Sequence, residues 1–192
     1  MHKIIATLPK AIIFGLLFSL LFLSDIYSQE CGIERWRIKT VRDKDVKQIF
    51  WKAATTSVTE QVNEPREIQS GWLSAPRQPK ELQLYKMSCV IIGLGKEKDN
   101  DYHMIIKDTK TGDHMIAEIP DPECSELKNT KLAPKYKQAR DFIRKIYGEP
   151  SAIQKVKPTK IILYGVGFWE KMNHGQGHSK FGREIHPVVG IN

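Results

Sequence analysis

The chain has 192 residues, of which 41% are hydrophobic and 27% are charged, and its formal net charge is +8. This length allows one domain, or one domain with an N-terminal arm, and excludes a chain of several domains. The sequence contains no internal repeat and no low-complexity tract, which excludes a repeat array. The positive charge raises the question of nucleic-acid binding.

Residues 1–28 have the pattern of a secretory signal peptide. Two lysines precede the apolar run 11–23, and Ser28 supplies a small residue at a cleavage point. A membrane-spanning helix requires about 20 apolar residues, so we expect cleavage rather than anchoring. Glu30, directly before Cys31, does not fit a lipoprotein signal. We therefore expect a soluble secreted or periplasmic protein without a transmembrane segment after cleavage.

Residues 29–81 predict an N-terminal strand followed by an extended arm. In the segment 34–40 apolar and charged side chains alternate, which predicts a short strand. The segment 42–81 is polar and contains three prolines, so we expect it to wrap around the domain that follows. Weak signals for further short strands occur at Val58, Val62 and Ile68.

Residues 82–192 predict five strands. Strands are expected at 82–96, 102–107, 114–119, 160–170 and 183–191. The apolar side chains of the first strand change phase near Lys86, which indicates a bulge, and Gly93 and Gly95 indicate bending. A long and curved first strand is what a small barrel requires, since that strand pairs with two neighbours.

A helix is predicted between the third and fourth strands. Pro134 suits its first turn, and Gly148 suits the position after its last turn. Apolar residues recur between them at helical spacing: Tyr136, Ala139, Phe142, Ile143 and Ile146. The order β-β-β-α-β-β is typical of the oligonucleotide/oligosaccharide-binding (OB) fold. We therefore predict a mainly β protein with one helix, built as a five-stranded OB-like barrel with an N-terminal arm.

Three cysteines in an oxidising compartment predict one disulfide and one spare thiol. Cys89 lies in the middle of the most apolar predicted strand, which is typical of a buried free thiol. Cys31 and Cys124 lie in loop-like contexts, so we favour a bridge between them over any pairing with Cys89. The sequence has no Cys-x-x-Cys pair, and nothing near a cysteine suggests a zinc site or a nucleophile.

The positive charge is concentrated on the predicted helix and its flanks. Ten basic and two acidic residues lie between Lys128 and Lys160, so the remainder of residues 29–192 is close to neutral. In an OB barrel, ligands lie across the second and third strands, away from this helix. Tyr102 is the main aromatic side chain there, although single-stranded nucleic acids require a stacking platform. Nucleic acid is thus an alternative partner but not the favoured one.

Histidines and carboxylates occur in two connections that the predicted topology places side by side, and one more histidine lies on the last strand. The candidate ligand-binding residues are Asp99, Asp101, Tyr102, His103, His174, His178 and His186. Histidines near carboxylates can bind a metal or form an acid–base pair. His174 and His178 lie in a glycine-rich loop and not on a helix, so their spacing does not place them on one face. We therefore expect these histidines to hydrogen-bond to backbone groups. For His186, which precedes Pro187, we favour a structural role; metal binding is left open, and no cofactor is expected.

Six short motifs carry a resemblance. They are Glu34-Arg35-Trp36 with Lys39-Thr40, Asp101-Tyr102-His103, Met115 to Pro120, Gly165 to Trp169, His174-Gly175-Gln176 and Glu184 to Val188. With these motifs, residues 31–191 resemble a family of short exported bacterial proteins with an OB-like barrel. The resemblance implies a bacterial source and an export route, and it implies no activity and no functional residue. His178 and the basic span 128–160 are not part of the matching pattern.

These observations predict a noncatalytic exported domain that binds an extended polymer or a partner protein. The alternative is a secreted metal-dependent nuclease or phosphodiesterase. Its carboxylates would come from Asp99, Asp101, Asp108 and Glu118. Such an enzyme also requires arginines that stabilise phosphate charge, and residues 82–129 contain none. We therefore favour the binding domain, whose oligomeric state the sequence does not indicate.

Overall fold

The structure, a computed structural model, describes residues 31–32, 34–68, 70–172 and 176–192. The predicted signal peptide, residues 1–28, lies outside this part of the chain. The described residues form a mainly β protein with six strands in one sheet and three α-helices. Within these ranges no helix has the length and apolar character needed to cross a membrane.

Within the described ranges, nine helices and strands follow one another. They are α1 (Trp36–Lys39), β1 (Phe50–Thr56), α2 (Val58–Asn63), β2 (Gln83–Lys96), β3 (Tyr102–Lys107), β4 (His114–Ile119), α3 (Ala133–Tyr147), β5 (Gln154–Trp169) and β6 (Arg183–Ile191). Short 3-10 turns occur at Val46–Gln48, Trp72–Ser74 and Pro79–Glu81. The mainly β class with one long helix, α3, is therefore confirmed.

The strand order in the sheet is β1-β2-β3-β4-β6-β5, and β2 also pairs with β5. This additional pairing closes β2 to β6 into a ring, although the ring is not a regular barrel. Within the ring the neighbours are antiparallel except for β4 and β6, which run parallel and pair at two positions, Ile116 with Glu184 and Ala117 with Ile185, and outside the ring β1 runs parallel to β2. The seam between β4 and β6 is thus a short connection in the ring.

The long strand β2 pairs with β3 on one side and with β5 on the other. Its pairing with β5 is regular around Lys86, so the bulge predicted there is wrong. Both pairings instead shift register between Ile91 and Gly93. A side chain at Gly93 would come within 2.8 Å of Ile105 on β3, so the missing Cβ permits this close approach.

The helix α3 packs with one face against the core. Tyr136, Ala139 and Ile143 are buried, as the helical spacing predicts, and the Tyr136 hydroxyl donates to the carbonyl of Thr40. Ile146 is 40% exposed, because the apolar stripe reaches beyond the surface that the sheet covers. Helical periodicity therefore predicts which face of α3 is buried, but not where along the helix this burial stops.

The N-terminal region differs from its prediction. Residues 36–39 form the short helix α1 and not a strand, and its neighbours Ile38 and Lys39 are both buried. Alternation would leave one of the two exposed, but Lys39 pairs with Glu170 and lies over the ring of Phe168. The strand β1 was missed, since its side chains are exposed or half-buried and carry no alternating pattern.

Val58 and Val62 lie on the helix α2, so the short strands proposed at these positions are wrong. The two valines are four residues apart and are both buried on one helical face. The Ser57 side chain accepts from the amide of Glu60 at 3.1 Å, and the Glu60 carboxylate accepts from the amide of Ser57 at 2.9 Å. This reciprocal capping box was the overlooked sequence signal.

We expect Ser57→Ala to lower the free energy of unfolding by about 1 kcal/mol, because the amide of Glu60 loses its cap. Urea unfolding followed by circular dichroism measures the change. Ser70→Ala is the control, since Ser70 is exposed and lies outside the helices. Equal effects of the two substitutions would show that the cap does not stabilise the helix.

The disulfide joins Cys31 to Cys124, with a Cα–Cα distance of 5.6 Å, as predicted. Cys89 is a buried free thiol, also as predicted, and burial raises its pKa to about 12. A thiol with such a pKa is almost entirely protonated at neutral pH and is a poor nucleophile. The cysteines thus have structural roles.

Candidate functional site

A cluster of histidines and carboxylates lies on the face of β3, β4 and β6 that points away from the hydrophobic core. His103 on β3 lies directly opposite Glu118 on β4, and Glu184 and His186 follow on β6 in the same phase. Their strand neighbours, such as Ile119 and Ile185, point into the core instead. Strand alternation therefore places these polar side chains together.

The N-terminal segment covers this cluster. Lys39, on α1, lies with its Nζ 2.9 Å from Glu170 Oε2, just after β5. Burial alone would lower the pKa of Lys39, but Glu170 and Glu118 outweigh burial and raise it. Burial raises the pKa of Glu184 well above its usual value, and the nearby Glu170 and Glu118 add to this effect. The cluster is thus a buried polar layer between the sheet and α1.

His103 connects the two loops that the sequence predicted to be neighbours. Its Nδ1 donates to Glu118 Oε1 at 2.8 Å and lies 3.2 Å from Glu97 Oε1, while its Nε2 donates to the carbonyl of Gln176 at 3.0 Å. Burial alone would lower the pKa of His103, but the bonds to Glu118 and Glu97 raise it to about 10. His103 is therefore an imidazolium that donates from both ring nitrogens.

His186 is fully buried against two carboxylates. Its Nδ1 lies 3.0 Å from Glu118 Oε2, and its Nε2 lies 3.3 Å from Asp101 Oδ2. These distances would allow hydrogen bonds, but the directions of the ring N–H groups miss both oxygens. Burial lowers the pKa of His186, and the two carboxylates more than compensate, which raises it to about 9.

Asp101 precedes β3 and has no exposed surface. Its Oδ1 accepts from the amide of Asp121 at 2.9 Å, and burial raises its pKa to about 6 against the influence of His186. Asp99 lies nearby and also has a raised pKa, chiefly because of burial. Glu118 behaves in the opposite way, since its bond to His103 and its ion pair with His186 hold its pKa well below the usual range despite burial.

The other predicted site residues lie elsewhere. Tyr102 points to the core side, where its hydroxyl donates to Glu149 at 2.6 Å and the Arg140 guanidinium lies 3.8 Å from the ring centre. His178 is half-buried and belongs to neither group of potential metal ligands found among the described residues. His174 lies outside the described residues. Asp108, a carboxylate of the nuclease hypothesis, follows β3 at its far end and accepts from the amide of Lys110.

Sequence reasoning missed the acidic and basic partners of the histidines. Glu97, Lys39, Glu170 and Glu184 were not among the candidates, and Glu118 was named only as a nuclease carboxylate. One available signal was the pair Glu184 and His186, two residues apart on a strand and so on one face. Lys39 could not have been found, because its place depends on how α1 folds back over the sheet.

A groove of about 470 Å³ continues this face of the sheet. Its twelve lining residues include no Phe, Tyr, Trp, Asp or Glu. The floor is aliphatic, and two lysines lie among the lining residues: Ile92, Ile105, Ile153, Val156, Lys107 and Lys155. Gln176, whose carbonyl binds His103, also lines the groove. The groove and the buried cluster are therefore adjacent.

Comparisons with known protein families, with curated proteins and with solved structures gave no match for this chain. Its function must therefore be argued from the geometry of its own residues.

Proposed function

We propose that this chain is an exported, noncatalytic binding domain with an OB-like arrangement of β2 to β6. Its ligand is an extended acidic segment of a partner protein, which lies in the groove between β3 and residues 153–158. The observation that carries this proposal is the composition of the groove, which combines an aliphatic floor with lysines and has no acidic side chain.

The position of the groove agrees with this function. OB domains bind their ligands across the second and third strands of the barrel, between two of its loops. Here the corresponding strands are β3 and β4, and the groove includes Ile105 and His114 from these strands and Gln176 from the loop after β5. The strand order of the ring, with a parallel contact between β4 and β6, supports the OB-like arrangement.

The aliphatic floor favours a polypeptide over a nucleic acid. Single-stranded nucleic acids gain much of their affinity from stacking on aromatic rings, and no Phe, Tyr or Trp is among the residues that line the groove. Aliphatic side chains of an extended peptide can instead pack on Ile105 and Ile153, while its carboxylates approach Lys107 and Lys155. Lys155 belongs to the basic span 128–160, so that span is not wholly separate from the ligand face.

Burial favours the binding domain over the metal-dependent nuclease. A nuclease needs catalytic groups that its substrate can reach, yet Asp101 and His186 have no exposed surface and Glu118 is 8% exposed. Asp108 follows β3, whereas Asp101 precedes it, so these carboxylates cannot share one metal. Export is supported by the leader pattern and by the Cys31–Cys124 disulfide, which suits an oxidising compartment.

We expect Lys107→Glu/Lys155→Glu to weaken peptide binding about tenfold, since charge reversal repels an acidic ligand and tenfold equals about 1.4 kcal/mol. Fluorescence anisotropy with a labelled ten-residue peptide of alternating aspartate and leucine measures the affinity. Lys137→Glu is the matched control, because Lys137 is exposed on α3, and it should change the affinity less than twofold.

The same assay includes an oligothymidylate and a sulfated dextran as competing probes. The proposal requires that the peptide bind more tightly than both polymers and that the control leave its binding intact. Tighter binding of either polymer, equal effects of the two variants, or no binding of the peptide would overturn it.

A further inference from the structure

We propose that His103 is a positioning residue for the peptide groove, because its Nε2 holds the carbonyl of Gln176 and thereby fixes one wall of that groove. The bond between these two atoms is 3.0 Å long. His103 is only 3% exposed, so it acts on the groove through Gln176 and does not touch the peptide. The inference rests on the proposed function, since it concerns the same groove.

The wall consists of Gln176 and Gly177, the lining residues that come from the loop after β5. It lies against His103 and Ile105, which are two residues apart on β3 and therefore share one face of the strand. A Cβ at Gly177 would come within 2.7 Å of Ile105 Cγ1, so only glycine permits this close approach. The wall is thus held against two successive side chains of β3.

The bond to Gln176 depends on the charge of His103. Glu118 Oε1 and Glu97 Oε1 both face Nδ1, at 2.8 and 3.2 Å. A neutral imidazole has a single ring N–H, which these carboxylates would keep on Nδ1, and Nε2 would then turn a lone pair toward the Gln176 carbonyl. The imidazolium that the two carboxylates favour donates from Nε2 as well. A charged donor also makes a stronger hydrogen bond than a neutral one.

His103 is the tether of this part of the loop. Among the described residues, its bond is the only hydrogen bond found for Gln176, and none is found for Gly177. The loop is fixed again from Ser179 onward, where the Ser179 hydroxyl accepts the amide of Arg183 at 2.6 Å. Loss of the His103 bond therefore frees the wall without unfastening the start of β6.

A fixed wall favours peptide binding in two ways. It borders Ile105, an aliphatic side chain of the groove floor, and so limits the access of water to the surface on which the peptide packs. It is also in place before the peptide arrives, so binding does not pay the entropy cost of ordering the loop.

Two substitutions of His103 separate positioning from mere packing. Asparagine places an amide N–H near the position of Nδ1 and can still donate to Glu118, whereas glutamine places one near the position of Nε2 and can still donate to Gln176. We expect His103→Asn to weaken binding of the aspartate–leucine peptide about tenfold, and His103→Gln to weaken it less than about threefold. Fluorescence anisotropy measures both affinities.

Nuclear magnetic resonance relaxation of the chain expressed in full, without peptide, tests the wall itself. We expect the order parameter of the Gly177 amide to fall from about 0.85 in the unmodified chain to below about 0.6 in His103→Asn, and to stay high in His103→Gln. The ¹⁵N spectrum of the unmodified chain should also show both ring nitrogens of His103 protonated at neutral pH. A single protonated nitrogen would overturn the proposal whether or not the variants fold.

The outcomes distinguish this inference from the proposed function. Equal affinities of the two variants, or an unchanged order parameter in His103→Asn, would overturn the positioning role while peptide binding by the unmodified chain stands. Absence of peptide binding by the unmodified chain would overturn the proposed function, and with it the role of His103 in binding. Circular dichroism identifies any variant that does not fold.

Discussion

Replacement of Glu81 by alanine is expected to lower the free energy of unfolding by about 3–5 kcal/mol, because it leaves the buried guanidinium of Arg35 without its counter-charge. Both side chains are fully buried, and two parallel bonds of 2.7 Å join them. Glu81 also accepts the amides of Gln78 and Trp169, so one carboxylate holds α1, a 3-10 turn and the end of β5.

Urea unfolding measures this loss of free energy, provided that the variant and the unmodified chain have the same m-value. The double variant Arg35→Met/Glu81→Leu should recover part of it, since no charge is left unpaired, although the amides of Gln78 and Trp169 still lose their acceptor. Lys137→Ala is the matched control, because Lys137 forms an exposed ion pair with Asp141 that contributes at most about 1 kcal/mol. A loss at Glu81 no larger than that of the control would contradict the prediction.

Removal of the disulfide by Cys31→Ser/Cys124→Ser is expected to lower the free energy of unfolding by about 4 kcal/mol. The bridged cysteines are 93 positions apart, and in the chain-entropy model a loop of about 100 residues gives about 4.7 kcal/mol by restricting the unfolded chain. Without the bridge, the N-terminal segment that covers the histidine–carboxylate cluster has one tether fewer.

Urea unfolding with and without dithiothreitol tests this second prediction. The unmodified chain should lose stability in the reductant, and the double variant should be insensitive to it. Cys89→Ala provides the control, because Cys89 is a free thiol and its variant should remain sensitive to the reductant. Full stability of the unmodified chain after reduction, verified by mass spectrometry, would mean that the bridge does not stabilise the fold.

Local patterns in the sequence were sufficient for the strands and the long helix of the second half. The predicted strands 102–107, 114–119 and 183–191 coincide with β3, β4 and β6, because each is an apolar run between turn residues. The helix between Pro134 and Gly148 was equally clear, since the residues at its two ends and the helical spacing of the apolar residues between them indicate the same element. The disulfide followed from elimination among three cysteines.

Sequence patterns led to wrong predictions where the burial of a residue depends on contacts between segments that are far apart in the chain. The helix α1 was predicted as a strand, because the alternation of residues 34–40 does not reveal that Arg35 reaches Glu81, 46 positions away. The bulge of β2 lies near Gly93 rather than near Lys86 for a similar reason. Its position is set by the approach of β3 and not by the apolar phase of β2 itself.

The candidate site was also predicted from the sequence only in part. The sequence by itself indicated β2 to β6 and their succession along the chain, and it predicted that the connection with Asp101 lies beside the loop after β5, which His103 contacts at Gln176. Only the tertiary structure decided that Glu118 lies between His103 and His186, and that α1 covers them. The physical reason is that strand periodicity assigns a side chain to a face, whereas its partner and its burial depend on what packs against that face.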